Sequence, residues 1–128
     1  ELLRSLVGSE MCIRDRAGKD RVVPIHSKIR PFVEARLAEG GPRLICYNGR
    51  PCNQTQYRIF WADIMKALEM NHTPHECRHT FETQLDSAGA NRKCIDLLMG
   101  HVSKDTGNRV YNHKTLDELK ATVALIQC

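Results

Sequence analysis

A chain of 128 residues is one domain or a piece of one, large enough for a modest core. Its 41% hydrophobic and 27% charged content is ordinary for a soluble globular protein, and no apolar run reaches the ~20 residues a membrane helix needs. The net charge of +4 leans weakly towards a polyanionic partner. Six cysteines without a CxxC pair argue against a disulfide framework and for reduced, cytosolic thiols.

In chain order, Glu1–Arg16 (ELLRSLVGSEMCIRDR) shares no pattern with the rest of the chain. It resembles a translated sequencing-adaptor segment, so residues 1–16 are set aside as a non-native leader and 17–128 taken as the folding unit. A genuine short helix is the alternative, since ELLRSLV holds helix formers. From Arg21 to Ile25 runs a short β-rich segment with Pro24 at its edge, suited to an exposed hairpin strand. Ser27 opens a helix to about Leu37, with Ile29, Phe32, Val33 and Leu37 on one stripe, closed by Gly40-Gly41-Pro42. Leu44–Tyr47 reads as a strand and Asn48-Gly49 as a turn. Asn53 caps the next helix, roughly Gln54–Leu68, where Tyr57, Ile59, Phe60, Ile64 and Leu68 are apolar.

The most informative stretch begins at His72. Thr73 is suited to capping, Pro74 to the first helical position, and Glu76 three residues after the threonine completes a capping box. This helix continues to about Ser87, burying Phe81 and Leu85, and ends in Ala88-Gly89-Ala90. Asn91 caps another helix to Met99, whose Ile95, Leu97 and Leu98 face the core, and Gly100 ends it. A weaker helix over Lys104–Val110 leads to Tyr111. Thr115 and Glu118 form a second capping box, opening an amphipathic helix to about Ile126. The pattern is mainly α with a small β-hairpin or sheet, an α+β class.

Within that stretch His75 and Arg78 lie three residues apart, on one face near a helix N-terminus. Free backbone N–H groups, the helix dipole and a forked cation there make a ready anion site. His101 follows Gly100, and Tyr111 comes ten residues later. A tyrosine has a reference pKa near 10, so ionising it at pH 7 costs about 4 kcal/mol. A phenol that attacks a phosphodiester therefore needs a proton acceptor and cations or donors for the charge spreading over the phosphate oxygens. Arg78, His75 and His101 are of those kinds. Taken singly, each of these residues is more often a surface charge or a structural side chain; four matches in order reverse that weighting.

The runs HECRHTF, LLMGH and VYNH resemble the C-terminal half of the catalytic domain of the tyrosine recombinase (phage integrase) family, in which His-x-x-Arg, Gly-His and a Tyr closely followed by His occur in this order. The resemblance covers the chain from about Ala17 and implies that fold, incomplete at the N-terminus. It implies site-specific DNA recombination through a 3′-phosphotyrosine intermediate, with Tyr111 as nucleophile and Arg78, His75 and His101 around the phosphate. His79 and His113 take supporting positions, and Cys77 reads as a small core residue. The family's hairpin lysine aligns on Arg16 when Pro24 is the anchor; Lys19 substitutes only if the hairpin lies a residue or more out of that register. The family's first arginine has no counterpart, since Arg4 lacks the surrounding pattern, so the fragment by itself is expected to be inactive or nearly so. Arg21, Gln54, Gln56 and Arg58 are carried over as DNA-facing positions, with solvated polar residues the equally open alternative. The implied partner is double-stranded DNA, in a tetrameric synapse of the full-length parent, in the cytoplasm, with no metal or other cofactor.

Two other classes stay open at this point. His75-Glu76-Cys77-Arg78-His79 also spells H-E-x-x-H, the zinc metallopeptidase signature, with His101 as a conceivable third ligand. A non-catalytic DNA-binding remnant of a recombinase would keep the same residues without positioning Tyr111.

Overall fold

The computed structural model describes residues 2–7, 10–14, 20–101 and 113–127. The helix expected over 104–110, Tyr111 and the hairpin positions Arg16 and Lys19 lie outside them. The described elements are β1 (Leu2–Val7), β2 (Glu10–Arg14), β3 (Asp20–Pro24), α1 (Arg30–Ala38), β4 (Cys46–Tyr47), β5 (Arg50–Pro51), α2 (Gln54–Ala67), α3 (Pro74–Ser87), α4 (Arg92–Met99) and α5 (His113–Val123). Helices dominate, with two small antiparallel sheets, so the α+β expectation holds.

The larger sheet has the order β1-β2-β3. β2 and β3 form a hairpin paired from Glu10↔Pro24 to Arg14↔Asp20, so the connection between them is 15–19, containing both Arg16 and Lys19. The alternative of a helix in ELLRSLV is corrected: Leu2–Val7 is a strand, paired with β2 with a register shift between Leu3 and Ser5. Seven residues are too few to form a stable isolated helix, whereas the edge of β2 offers this run a ladder of backbone partners. The residues set aside as a leader are thus drawn into the sheet, and Glu10 also pairs with Lys120 of α5 at 2.6 Å.

Chain-local signals set most of the helix ends. Asn53 caps α2 through a full capping box: its side chain accepts from the Gln56 N–H at 2.8 Å, and the Gln56 carboxamide accepts from the Asn53 N–H at 3.0 Å. The Asn91 side chain accepts from the Lys93 N–H at 2.9 Å to start α4. Asn48 and Gly49 both adopt positive φ (50° and 72°), the conformation a two-residue hairpin turn requires, and join β4 to β5. α1 starts at Arg30, three residues later than expected. Pro31 has no N–H and fits only the first helical turn, so Ser27–Ile29 stay a turn.

The core lies among α3, α4, α5 and β3. Leu85, Cys94, Ile95, Leu98, Met99, Leu119 and Val123 are its buried members, with Val23, Phe81, Leu97 and Ile126 packed at its margin. α4 is central because four of its eight residues (Cys94, Ile95, Leu98 and Met99) are buried at helical spacing. Each fully buried aliphatic side chain contributes about 1.5–3 kcal/mol, and Leu85, Ile95 and Leu119 are at 0% exposure.

α1 and α2 differ from expectation. Of the α1 stripe only Val33 is buried, and Phe32 is 73% exposed. α2 buries no side chain; Ile59, Phe60, Ile64 and Leu68 are all exposed. Periodicity marks an apolar face but does not supply a partner for it. α2 is instead held by its cap, by the Tyr47–Phe60 ring contact at 5.3 Å and by the Trp61 indole N–H donating to the His72 carbonyl at 2.6 Å. Among the described residues no helix is long and apolar enough to cross a membrane.

Candidate functional site

The site is built around the last turn of α4. Gly100 leaves the helix in the left-handed conformation (φ 73°). Its N–H donates to the Leu97 carbonyl at 3.2 Å and the His101 N–H to the Asp96 carbonyl at 2.8 Å, the paired bonds that end a helix at a glycine. The next two carbonyls, of Leu98 and Met99, take guanidinium donors from elsewhere in the fold. Arg21 on β3 donates through Nη1 to Leu98, and Arg78 on α3 through Nη2 to Met99. The negative end of the α4 dipole favours both cations.

Arg78 Nη2 also lies 3.2 Å from Nε2 of His101. A guanidinium can only donate, so in this contact Nε2 is the acceptor and the ring proton sits on Nδ1. Two residues 23 apart in sequence, Arg78 half-buried and His101 exposed, therefore meet at one point. Nε and Nη1 of Arg78 make no hydrogen bond among the described residues, which leaves N–H donors on this cation for phosphate oxygens.

His75 stands one turn before Arg78 on the same helix, exposed, its ring meeting that of His79 edge-on at 4.7 Å between centroids. The helix start is held by the predicted capping box. The Thr73 N–H and hydroxyl both donate to one Glu76 carboxylate oxygen, the hydroxyl at 2.9 Å, and His72 Nδ1 lies 3.6 Å from the other. The backbone N–H of Thr73, then its hydroxyl, hold the Glu76 carboxyl below the usual glutamate range, with a smaller contribution from His72. Cys77 is exposed, which corrects its reading as a core residue: it shares a face with Phe81 and Leu85 but lies towards the start of α3, where that face borders an open cleft with Trp61 and Met65. Tyr111 lies outside the described residues.

The zinc-peptidase alternative finds no support here. Among the described residues no group of three His, Cys, Asp or Glu side chains could hold a metal ion. Glu76, its general base, is engaged as a helix cap, and His101, its third ligand, lies against the Arg78 cation.

The residues expected to face DNA divide. The Arg21 guanidinium is turned inward onto Leu98. The Gln56 carboxamide oxygen is committed to the α2 cap, whereas Arg58 is exposed. Gln54 borders a cleft of about 580 Å³ with Arg21, Arg43, Tyr57 and Leu98. Arg43 was missed in the sequence because a single arginine in a Gly-Gly-Pro-Arg loop carries no periodic or motif signal.

Fold and site together define an α+β domain that brings two guanidinium groups and the His101 imidazole to one helix C-terminus. The phage integrase family profile matches residues 5–118, and the chain belongs to that family. Among curated relatives it is 32% identical over 123 residues to the tyrosine recombinase XerC of Pelobacter propionicus, covering 90% of this chain and 40% of that protein. It is 30% identical over 132 residues to the tyrosine recombinase XerD of Oceanobacillus iheyensis, covering 92% and 43% respectively. With the tyrosine recombinase XerD of Vibrio vulnificus identity is 26% over 121 residues, covering 84% and 39%. The chain thus spans about two fifths of the length of these relatives. No solved structure matches it.

Proposed function

We propose that the chain supplies the strand-cleaving part of a tyrosine-type site-specific DNA recombinase acting on double-stranded DNA. The observation that carries this reading is the meeting of Arg78 and His101 at the end of α4, with His75 one turn away on α3. A family-typical sequence would tolerate these residues on separate surfaces if they were only structural.

In this reading the phenolic oxygen of Tyr111 attacks the scissile phosphorus. The bond to the 5′ oxygen breaks and a 3′-phosphotyrosine link forms. His75 and His101 donate hydrogen bonds to the phosphate or relay the phenolic proton, and Arg78 donates to the non-bridging oxygens through its remaining N–H groups. The departing 5′ oxygen takes up a proton. One phosphoester replaces another of similar energy, so rejoining requires neither ATP nor a metal ion. Gln54 and Arg58 at the head of α2 contribute backbone contacts. Assembly is a tetrameric synapse in the whole protein, and the compartment is the cytoplasm.

The test is covalent trapping on a duplex whose scissile linkage has sulfur at the 5′ bridging position. A thiol leaves as a thiolate near neutral pH (reference pKa about 8.5), so the reaction needs no acid on the leaving group. The outcome then does not depend on a hairpin lysine. A slow, low-yield DNA-linked peptide containing Tyr111, abolished by Tyr111→Phe, is expected, because the sulfur bypasses the lysine but not the family's first arginine. Duplex binding without any adduct would leave the non-catalytic remnant as the better reading.

A further inference from the structure

We infer that Arg21 is a positioning residue: together with Arg78 it clamps the C-terminal carbonyls of α4 and thereby sets Gly100 and His101. Its meaning for catalysis rests on the recombinase reading above; the clamp itself rests on geometry alone.

Three independent features point to the clamp. First, Arg21 and Arg78 come from different elements, β3 and α3, and donate to the adjacent carbonyls of Leu98 and Met99. A helix C-terminus has carbonyls without intrahelical partners, and cations there are favoured by the dipole. Second, the Arg21 guanidinium lies directly against Gly100. A methyl group built at position 100 would stand 3.1 Å from Nη1 and 3.2 Å from Cζ. Gly100 is thus required both by its φ of 73° and by the neighbour pressed on it. Third, Arg21 is two residues from Val23, so both project from the same face of β3, and Val23 packs on the core. Arg21 therefore reaches α4 because the strand register aims it there, not by chance of a mobile surface side chain.

The consequence runs through the backbone. Arg78 bonds to His101 and to Met99; Arg21 bonds to Leu98 and covers Gly100, the residue between. Remove Arg21 and the α4 terminus keeps one of its two side-chain anchors among the described residues, so His101 loses the fixed backbone from which it meets Arg78. A lysine would restore the charge but not the flat fork that covers Gly100 while donating.

The test uses the full chain with Arg21→Met and Arg21→Lys, read by amide hydrogen exchange and by the histidine imidazole resonances. Arg21→Met is expected to speed exchange at Gly100 and His101 about tenfold or more, with Leu85 and Leu119 amides unchanged. The His101 imidazole signals should move while those of His75 and His79 stay in place, and Arg21→Lys should recover part of both effects. On the sulfur-bridged duplex, Arg21→Met should slow adduct formation with duplex affinity unaltered. Uniform acceleration of exchange throughout the core would overturn the proposal in favour of a general structural role. Unmoved His101 signals with weakened, less salt-sensitive duplex binding would overturn it in favour of a DNA contact. Should Arg21→Met fail to fold, the same local readouts on Arg21→Lys decide. If wild type forms no adduct, the recombinase reading fails, while exchange and imidazole signals still judge the clamp.

Discussion

Gly100→Ala separates two contributions that usually come together. Gly100 directly follows α4 and Gly89 lies two residues past the end of α3, in nearly identical backbone conformations, φ 73° and 74°. Placing alanine at either costs about 1–2 kcal/mol for the left-handed conformation alone. At Gly89 a new methyl meets nothing within 4 Å, so that is the whole effect. At Gly100 it meets Arg21, whose guanidinium must move by a few tenths of an ångström while bonded to Leu98. Loosening a charged, half-buried hydrogen bond and overpacking the contact adds about 1–3 kcal/mol. Gly100→Ala is therefore expected to destabilise the protein by about 2–5 kcal/mol and Gly89→Ala by about 1–2 kcal/mol. Each kcal/mol of the difference corresponds to a melting-temperature gap of roughly 3–6 °C for a domain of this size. Urea unfolding of both variants, with equal slopes, measures it directly. Values within about 0.3 kcal/mol of each other would show that the Arg21–Gly100 approach is not a tight contact and would refute the reasoning.

Further outcomes are expected. Leu119→Ala, at a fully buried site, should cost about 2–5 kcal/mol, while Ile64→Ala on exposed α2 should stay within about 0.5 kcal/mol in the same unfolding assay. Arg78→Lys should slow Tyr111 adduct formation by roughly 100- to 1000-fold, because one ammonium cannot serve Met99, His101 and a phosphate together; single-turnover trapping measures it. Folding lowers the Glu76 pKa, so the stability its carboxylate contributes is present above the unfolded value near 4.5 and is lost as pH falls through the lower folded value. Glu76→Gln should accordingly flatten the acid limb of the melting-temperature profile and leave its slope between about pH 6 and 8 unchanged. Equal acid limbs in the two proteins would count against the capping box as the source.

The residues themselves determined most features whose cause lies within a few positions along the chain. Asn53, Thr73 with Glu76, Asn91, Asn48-Gly49 and Gly100 act on backbone groups one to four residues away, so the starts of α2, α3 and α4, the β4–β5 turn and the end of α4 could be read directly. So could the nomination of Arg78 and His101, although not their meeting. Tertiary structure alone decided which apolar faces receive partners, and α4 was covered while α2 was not, though both are amphipathic. It also turned Arg21 inward to a carbonyl 77 residues away and made a strand of Leu2–Val7, a run whose composition favours a helix. Caps and turns answer to local hydrogen bonds, whereas burial and long side-chain reach answer to whatever the rest of the chain brings alongside.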